Sequence, residues 1–133
     1  MPRDVEELTA NLSAPDAALR LAAAEKLSQL AEAAAPAAVA LVRALEDDDE
    51  QVRQFVNSAL EDCGPPPQDA VDDLELLLVS PNADVAYWAA TLLGRLEGGA
   101  VQTVEALKTA AAEHPSDAVR QRATWALSKI ASG

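Results

Sequence analysis

The stretch SDAVRQRATWALSKI, from Ser116 to Ile130, is the last of four versions of one sequence pattern. The earlier versions are DAALRLAAAEKL from Asp16, EQVRQFVNSAL from Glu50 and ADVAYWAATLLGRL from Ala83. They recur at spacings of 33, 33 and 34 residues when aligned on their shared anchors, which are Leu19, Val52, Val85 and Val119. A fixed period of this size is typical of a chain that stacks one supersecondary unit several times.

Each version begins where a helix is expected to start. Three positions before the anchors stand four residues that suit a helix N-cap: Asp16, Asp49, Asn82 and Ser116. Their side-chain oxygens can accept hydrogen bonds from the free N–H groups of the first turn. Pro15, Pro81 and Pro115 precede three of them and disfavour helical geometry in the residue ahead. Each repeat is therefore predicted to be a helix A, a tight turn and a helix B.

Apolar residues fall on one stripe of every predicted helix B, at the anchor and four, eight and eleven residues later. This core set is Leu19, Ala23, Leu27, Leu30, Val52, Val56, Leu60, Cys63, Val85, Ala89, Leu93, Leu96, Val119, Ala123, Leu127 and Ile130. Helix A contributes Leu8, Leu12, Leu41, Leu45, Leu74, Leu78, Leu107 and Ala111. Breaks between repeats are predicted at Pro36, at Gly64 to Pro67 and at Gly98 with Gly99. The pattern predicts an all-α fold.

The repeated line resembles HEAT-like repeats, in the short form found in phycobilisome lyase subunits. The shared features are a capping Asp or Asn, a Val-Arg pair, alanine-rich positions and a closing leucine. The TPLHxA signature of ankyrin repeats is absent, and so is the bulky pattern of tetratricopeptide repeats. The resemblance implies a short right-handed α-solenoid of four two-helix repeats. We expect one domain, 1–133, with repeats at about 1–34, 35–66, 67–98 and 99–133.

Arginine follows the anchor in three repeats, as Arg20, Arg53 and Arg120, which matches the family pattern. We interpret these side chains as structural, bridging neighbouring turns and the loops from helix A to helix B. The third repeat departs from the pattern, because Ala86 stands in this place and is followed by Tyr87 and Trp88.

A binding surface is predicted on the B helices, which line the concave side of a HEAT-like solenoid as the resemblance implies. All aromatic residues of the chain lie on these helices, off the centre of the core stripe. Aromatic rings bury much area at little entropy cost, which suits a binding surface. The predicted partner-binding residues are Phe55, Tyr87, Trp88 and Trp125, with the polar neighbours Gln54, Gln121, Arg95 and Arg122. For Phe55 and Trp88 the alternative, packing between helices, is favoured; for Tyr87 and Trp125 partner contact is favoured.

The charge balance limits the class of partner. The chain carries 22 acidic and 10 basic side chains, a formal net charge of -12. This excess argues against a nucleic-acid backbone or an anionic membrane as the partner. The acidic run from Glu46 to Glu50 is interpreted as favouring the N-terminus of the next helix. A contact with a basic partner, joined by Asp69, Asp72 and Asp73, is the alternative.

Little in the sequence supports catalysis. Cys63 and His114 are the one cysteine and the one histidine, and they belong to different repeats. We expect no cysteine–histidine nucleophile, no zinc or calcium site and no cofactor, because the ligand spacings and phosphate loops are absent. A lone cysteine forms no intrachain disulfide, and the N-terminus lacks a secretory pattern, so we expect a cytoplasmic protein.

The sequence leaves three functions open. The first is a non-catalytic scaffold that binds a protein or peptide in the concave groove, and this is the function we expect. The second, implied by the resemblance, is a lyase-type subunit that binds a bilin chromophore or its acceptor protein. The third is nucleic-acid binding, which the acidic charge disfavours. We expect a monomer, with a dimer through the solenoid ends as the alternative.

Overall fold

The computed structural model of the protein describes residues 2–132, with side chains from residue 5 onward. Within that range it contains α-helices and short 3-10 segments and no strand. The α-helices are α1 Pro2–Asn11, α2 Ala17–Ser28, α3 Ala38–Arg43, α4 Glu50–Asp62, α5 Val71–Leu77, α6 Ala83–Arg95, α7 Val104–Glu113 and α8 Asp117–Ser132. The predicted all-α fold, built from consecutive helix pairs, is confirmed.

The chain divides into two compact units, Met1–Gly64 and Pro65–Gly133. In the first unit, α2 packs against α1 and α4. In the second unit, α8 packs against α6 and α7, and α5 packs against α6. Each unit thus holds two of the predicted repeats, and their union in a single 1–133 domain stays a prediction.

The four predicted N-caps are confirmed. Asp16 and Asp49 accept hydrogen bonds from the N–H groups two residues later, at 2.9 and 2.8 Å. The Asn82 side chain caps α6 through the N–H groups of Asp84 and Val85. The Ser116 hydroxyl accepts a longer bond, 3.4 Å, from the N–H of Val119. These local bonds fix where each helix B begins, because they satisfy donors that the helix itself leaves free.

Most of the predicted core stripe is buried, whereas Leu30, Leu96 and Leu127 are half-buried and Leu19 is exposed. Val52, Val56 and Leu60 are fully buried in the first unit, and Val85 and Val119 are fully buried in the second. Leu19 is 47% exposed, so its place in the core was wrongly predicted. The turn before it, residues 15–18, is exposed as well, and the first turn of α2 projects into solvent.

The chain leaves three of the B helices through the same backbone conformation. Ala31, Gly64 and Glu97 have positive φ angles of 51°, 72° and 51°, at intervals of 33 residues. The breaks predicted at Pro36, Gly64 and Gly98 all lie between α-helices, with Pro36 and Gly98 inside the 3-10 segments Ala31–Ala37 and Glu97–Thr103. Glycine is favoured in the left-handed region but is not required there. The sequence therefore did not identify Ala31 and Glu97 as residues that adopt this conformation.

Candidate functional site

Three of the predicted site residues meet on the second unit and form a stack around one guanidinium group. Tyr87 lies on α6, and Arg122 and Trp125 lie on α8. The Cζ atom of Arg122 is 4.8 Å from the centroid of the Tyr87 ring and 4.6 Å from that of Trp125. We call these three residues the Arg122 stack. Each such cation–π contact stabilises the arrangement by about 0.5–1 kcal/mol where it is exposed, and more where water is excluded.

A hydrogen bond fixes the orientation of Arg122 within the stack. Its Nη2 donates to the hydroxyl oxygen of Tyr87 at 2.6 Å. Both side chains are half-buried. A bond to a charged donor is stronger than one between neutral groups, so Tyr87 and Arg122 hold each other in place.

A cavity of about 270 Å³ opens beside the stack. Its walls are Tyr87 from α6 and Ala118, Gln121, Arg122 and Trp125 from α8. Four of the eight predicted site residues therefore share one cavity. The Gln121 amide donates to the Asp117 carboxylate at 2.9 Å, and that carboxylate also forms a 3.1 Å ion pair with Arg120.

Trp125 also has a packing role, which the sequence did not reveal. A Cβ atom added to Gly94 on α6 would lie 2.5 Å from Cζ3 of Trp125 and 3.1 Å from the Ala126 backbone. Real Cβ atoms are essentially never this close to another heavy atom, so the indole occupies the space that glycine leaves. The close approach of α6 and α8 depends on this fit.

Trp88 and Arg95 form a second aromatic contact on α6. Trp88 is 9% exposed, and its ring meets that of Tyr87 edge to face, with centroids 6.0 Å apart and planes at 85°. The Cζ atom of Arg95 is 5.4 Å from the Trp88 centroid. The burial of Trp88 supports the packing interpretation.

The two remaining predicted residues, Gln54 and Phe55, belong to the first unit. Both lie on α4, where Gln54 is exposed and Phe55 is half-buried. The structure therefore brings six of the eight predicted residues onto α6 and α8 and places these two on a different unit. Their part in partner binding stays a prediction.

The arginines that follow the anchors are structural, as predicted. Arg20 donates to the carbonyls of Ala14 and Pro15 and forms a 2.8 Å ion pair with Asp47. Arg53 donates to the carbonyl of Asp47, six residues earlier.

Arg120 makes the equivalent bonds in the last repeat, to the carbonyls of His114 and Pro115. These three arginines hold the turns between helix A and helix B.

His114 performs this task for the repeat that lacks the arginine. The carbonyl that an arginine at position 86 would reach, six residues earlier, is that of Ser80. The ring Nε2 of His114 lies 3.0 Å from this oxygen, and its Nδ1 accepts from the N–H of Ser116 at 3.0 Å. The two bonds assign the tautomer, because Nδ1 must be an acceptor and Nε2 then carries the proton. His114 is thus buried and fully hydrogen-bonded, as a structural residue is.

Two residues of the acidic run, Asp47 and Asp49, have structural roles. Asp47 has a buried carboxylate, 7% exposed, that accepts from Arg20 and from the N–H of Asp49. Asp49 in turn caps α4. The interpretation that this run serves the helix start is confirmed for these two residues.

Cys63 is buried, and its Sγ contacts the carbonyls of Leu60 and Gly64 at 3.7 and 3.6 Å. Among the side chains that the structure describes, from residue 5 to residue 132, no group of three or more His, Cys, Asp or Glu could hold a metal ion. In the same part of the chain, no helix combines the length and apolar character that crossing a membrane requires.

The comparisons with known proteins identify the repeats. The family model for HEAT repeats matches residues 71–132. This segment is similar to HEAT repeats. The predicted HEAT-like resemblance is thereby confirmed, and the narrower likeness to phycobilisome lyase subunits stays a prediction. No curated protein matches the chain.

Several solved structures share the fold, and three of them are described as engineered proteins. Their sequence identities to this chain are 26%, 25% and 26%, with TM-scores of 0.57, 0.60 and 0.55. Each match covers 98% of this chain but only 63%, 64% and 38% of the engineered chain. The chain therefore spans less than two thirds of the length of these neighbours.

Proposed function

We propose that the chain is a non-catalytic interaction module that binds a protein or peptide through the cavity beside the Arg122 stack. HEAT repeats are in general protein-interaction scaffolds, which supports the broad class. The observation that carries the proposal is the stack itself, with half-buried Tyr and Trp rings on an arginine at the edge of a cavity.

These residue types suit a binding hot spot. Tyr, Trp and Arg dominate the energetics of protein interfaces, where they sit in well-packed pockets. Their rings and guanidinium are already held by the Gly94 contact, the Tyr87 hydroxyl and each other. A surface ordered before binding loses less side-chain entropy on binding, so more of the contact energy remains as affinity.

The experiment is a capture of partners from source-cell lysate with a variant that fills the cavity. Ala118→Trp adds a large ring at an exposed wall position and removes no buried contact. Ala22→Trp is the matched control, since Ala22 is also an exposed alanine within a helix, on α2 of the first unit. Thermal melting first establishes that all three proteins are folded.

We expect wild type and Ala22→Trp to capture the same protein and Ala118→Trp to lose it. The captured protein, purified, should then bind wild type at least about tenfold more tightly than Ala118→Trp in calorimetry. Equal binding to all three would refute this cavity as the site.

A further inference from the structure

We infer that the Arg122 guanidinium is the receptor for an acidic side chain, Asp or Glu, of a protein partner. This inference rests on the proposed function and adds the chemistry of the group that is bound. It comes from the surroundings of the arginine: its Cζ lies over two aromatic rings, it forms no ion pair with a described carboxylate, and it lines a cavity.

A ligand would bind Arg122 through the N–H donors of its guanidinium. Rings lie within 5 Å of Cζ on Tyr87 and on Trp125, and the planar group has its five N–H donors at the rim. Within residues 2–132, the hydrogen bond of Arg122 is the one from Nη2 to Tyr87. The other donors are therefore available in the plane of the group, where a carboxylate can accept two parallel bonds.

Arg122, like Arg53, forms no ion pair with a described carboxylate, whereas two other arginines do. Arg20 pairs with Asp47, and Arg120 pairs with Asp117. None of the ion pairs formed by the described residues includes Arg122, although acidic side chains outnumber basic ones 22 to 10. Because the half-buried Arg122 guanidinium forms no ion pair with the described acidic side chains, it is complementary to an anion from outside the chain.

Carboxylate is favoured over phosphate by the charge of the whole protein. A net charge of -12 repels a phosphate, which carries close to two negative charges, more than a carboxylate, which carries one. The planar carboxylate also matches the planar edge that the stack exposes.

A side chain is favoured over a chain terminus by the shape of the site. Every wall comes from α6 or α8, so a segment that runs along the two helices can present a side chain to the cavity.

The test uses the spacing between Ala118 and Arg122, which are four residues apart on α8. A glutamate four residues before an arginine forms an ion pair on a helix surface. Ala118→Glu therefore supplies Arg122 with a carboxylate from its own chain and competes with any partner. Ala118→Gln is the matched control, because it has nearly the same size and shape without the charge.

The measurement is selection of random short peptides displayed on phage against five immobilised proteins. These are wild type, Ala118→Gln, Ala118→Glu, Arg122→Gln and Arg43→Gln. Arg43 is exposed on α3 of the first unit and controls for the loss of one positive charge. Thermal melting shows that each protein is folded, and the selected peptides are synthesised with amidated C-termini for titration.

We expect peptides selected on wild type, Ala118→Gln and Arg43→Gln to be enriched in Asp or Glu at one position. Their affinity should fall about tenfold on Arg122→Gln and on Ala118→Glu. Replacing the conserved acid of the peptide by Asn or Gln should cause the same loss on wild type and little further loss on Arg122→Gln.

Four outcomes would overturn the inference. Peptides that bind at the cavity but carry no enriched acid would refute it and leave the proposed function intact. If acidic peptides are enriched equally on Arg122→Gln and Ala118→Glu, the acid binds somewhere other than Arg122. Failure to select any cavity-dependent peptide, or Arg122-dependent binding of a single-stranded oligonucleotide instead, would refute both the inference and the proposed function.

Discussion

The two units secure the same turn with different chemistry. In the first unit the turn before α4 is joined to the preceding repeat by the ion pair of Arg20 and Asp47. In the second unit the turn before α8 is joined to the preceding repeat by an uncharged bond from His114 to the Ser80 carbonyl. Asp47 and His114 each also accept from the N–H two residues later. Equivalent hydrogen bonds are thus formed in both units by different side chains.

The cavities next to these turns differ in the same way. That of the first unit, about 610 Å³, is bordered by Arg20, Arg43 and Asp47. That of the second, about 350 Å³, is bordered by apolar groups such as Leu78, Val79 and Ala106. The cavity beside the charged turn is therefore bordered by more charged side chains than the cavity beside the neutral turn, although the helices that build them are equivalent repeats.

Removing the ion pair of the charged turn should have the largest effect on stability. We expect Asp47→Ala to lower the free energy of unfolding by about 3 kcal/mol, because it leaves the half-buried Arg20 without its carboxylate and removes the acceptor for Asp49. Urea denaturation measures the change. Asp48→Ala, at an exposed neighbouring carboxylate, is the control and should change stability little. Equal losses for both variants would show that the ion pair contributes nothing specific.

The Gly94 contact should have the next largest effect and should be confined to the second unit. We expect Gly94→Ala to cost about 2 kcal/mol, since its Cβ displaces Trp125 or separates α6 from α8. Alanine is otherwise the better helix former, so any loss reports the clash. Denaturation followed by tryptophan fluorescence checks this, with Ser128→Ala on the exposed face of α8 as control. A stabilised Gly94→Ala would contradict the close fit.

Removing the His114 hydrogen bonds of the neutral turn should lower the stability less than removing the ion pair of the charged turn. We expect His114→Ala to lower the stability by about 1.5 kcal/mol, since two uncharged bonds are lost and two backbone groups lose their partners.

His114→Asn sharpens the comparison, because its side-chain oxygen can replace Nδ1 as the acceptor for Ser116, as Asp47 does for Asp49. Its loss should be about half that of His114→Ala in the same urea experiment. Salt should weaken the Arg20–Asp47 coupling in a double-mutant cycle and leave the His114 contribution unchanged. A loss of stability for His114→Ala that is larger than the loss for Asp47→Ala would contradict the predicted order of the two turns.

The smallest predicted effect is a gain in stability at the end of α2. Ala31 has a φ of 51°, in the region that glycine adopts without strain. We expect Ala31→Gly to stabilise the protein by about 0.5–1 kcal/mol, even though glycine makes the unfolded chain more flexible. Thermal melting measures the shift. Ala33→Gly, two residues on in the same exposed segment, is the control and should destabilise. A loss of stability for both variants would contradict the idea that the positive φ of Ala31 is strained.

Features set by neighbouring residues were predictable from the sequence. The caps at Asp16, Asp49 and Asn82 depend on contacts within three residues and appear where they were expected. The repeat period predicted the order of the helices, because the residues that cap and pack a helix recur in each repeat.

Features set by contacts between repeats were not predictable. Tyr87 and Arg122 are 35 residues apart, one more than the local period of 34, so aligning equivalent positions does not pair them. The role of His114 was missed for a related reason. The missing arginine at position 86 was visible, but the side chain that takes its place comes from the next repeat.

The shared conformation at Ala31, Gly64 and Glu97 has a consequence for how such a chain changes length. The backbone passes through nearly the same φ at three points 33 residues apart, with three different side chains. A recombination event that joins one of these points to another adds or removes a whole repeat and restores the same local backbone geometry. Evolution can therefore lengthen or shorten the protein at these points without inventing a new connection.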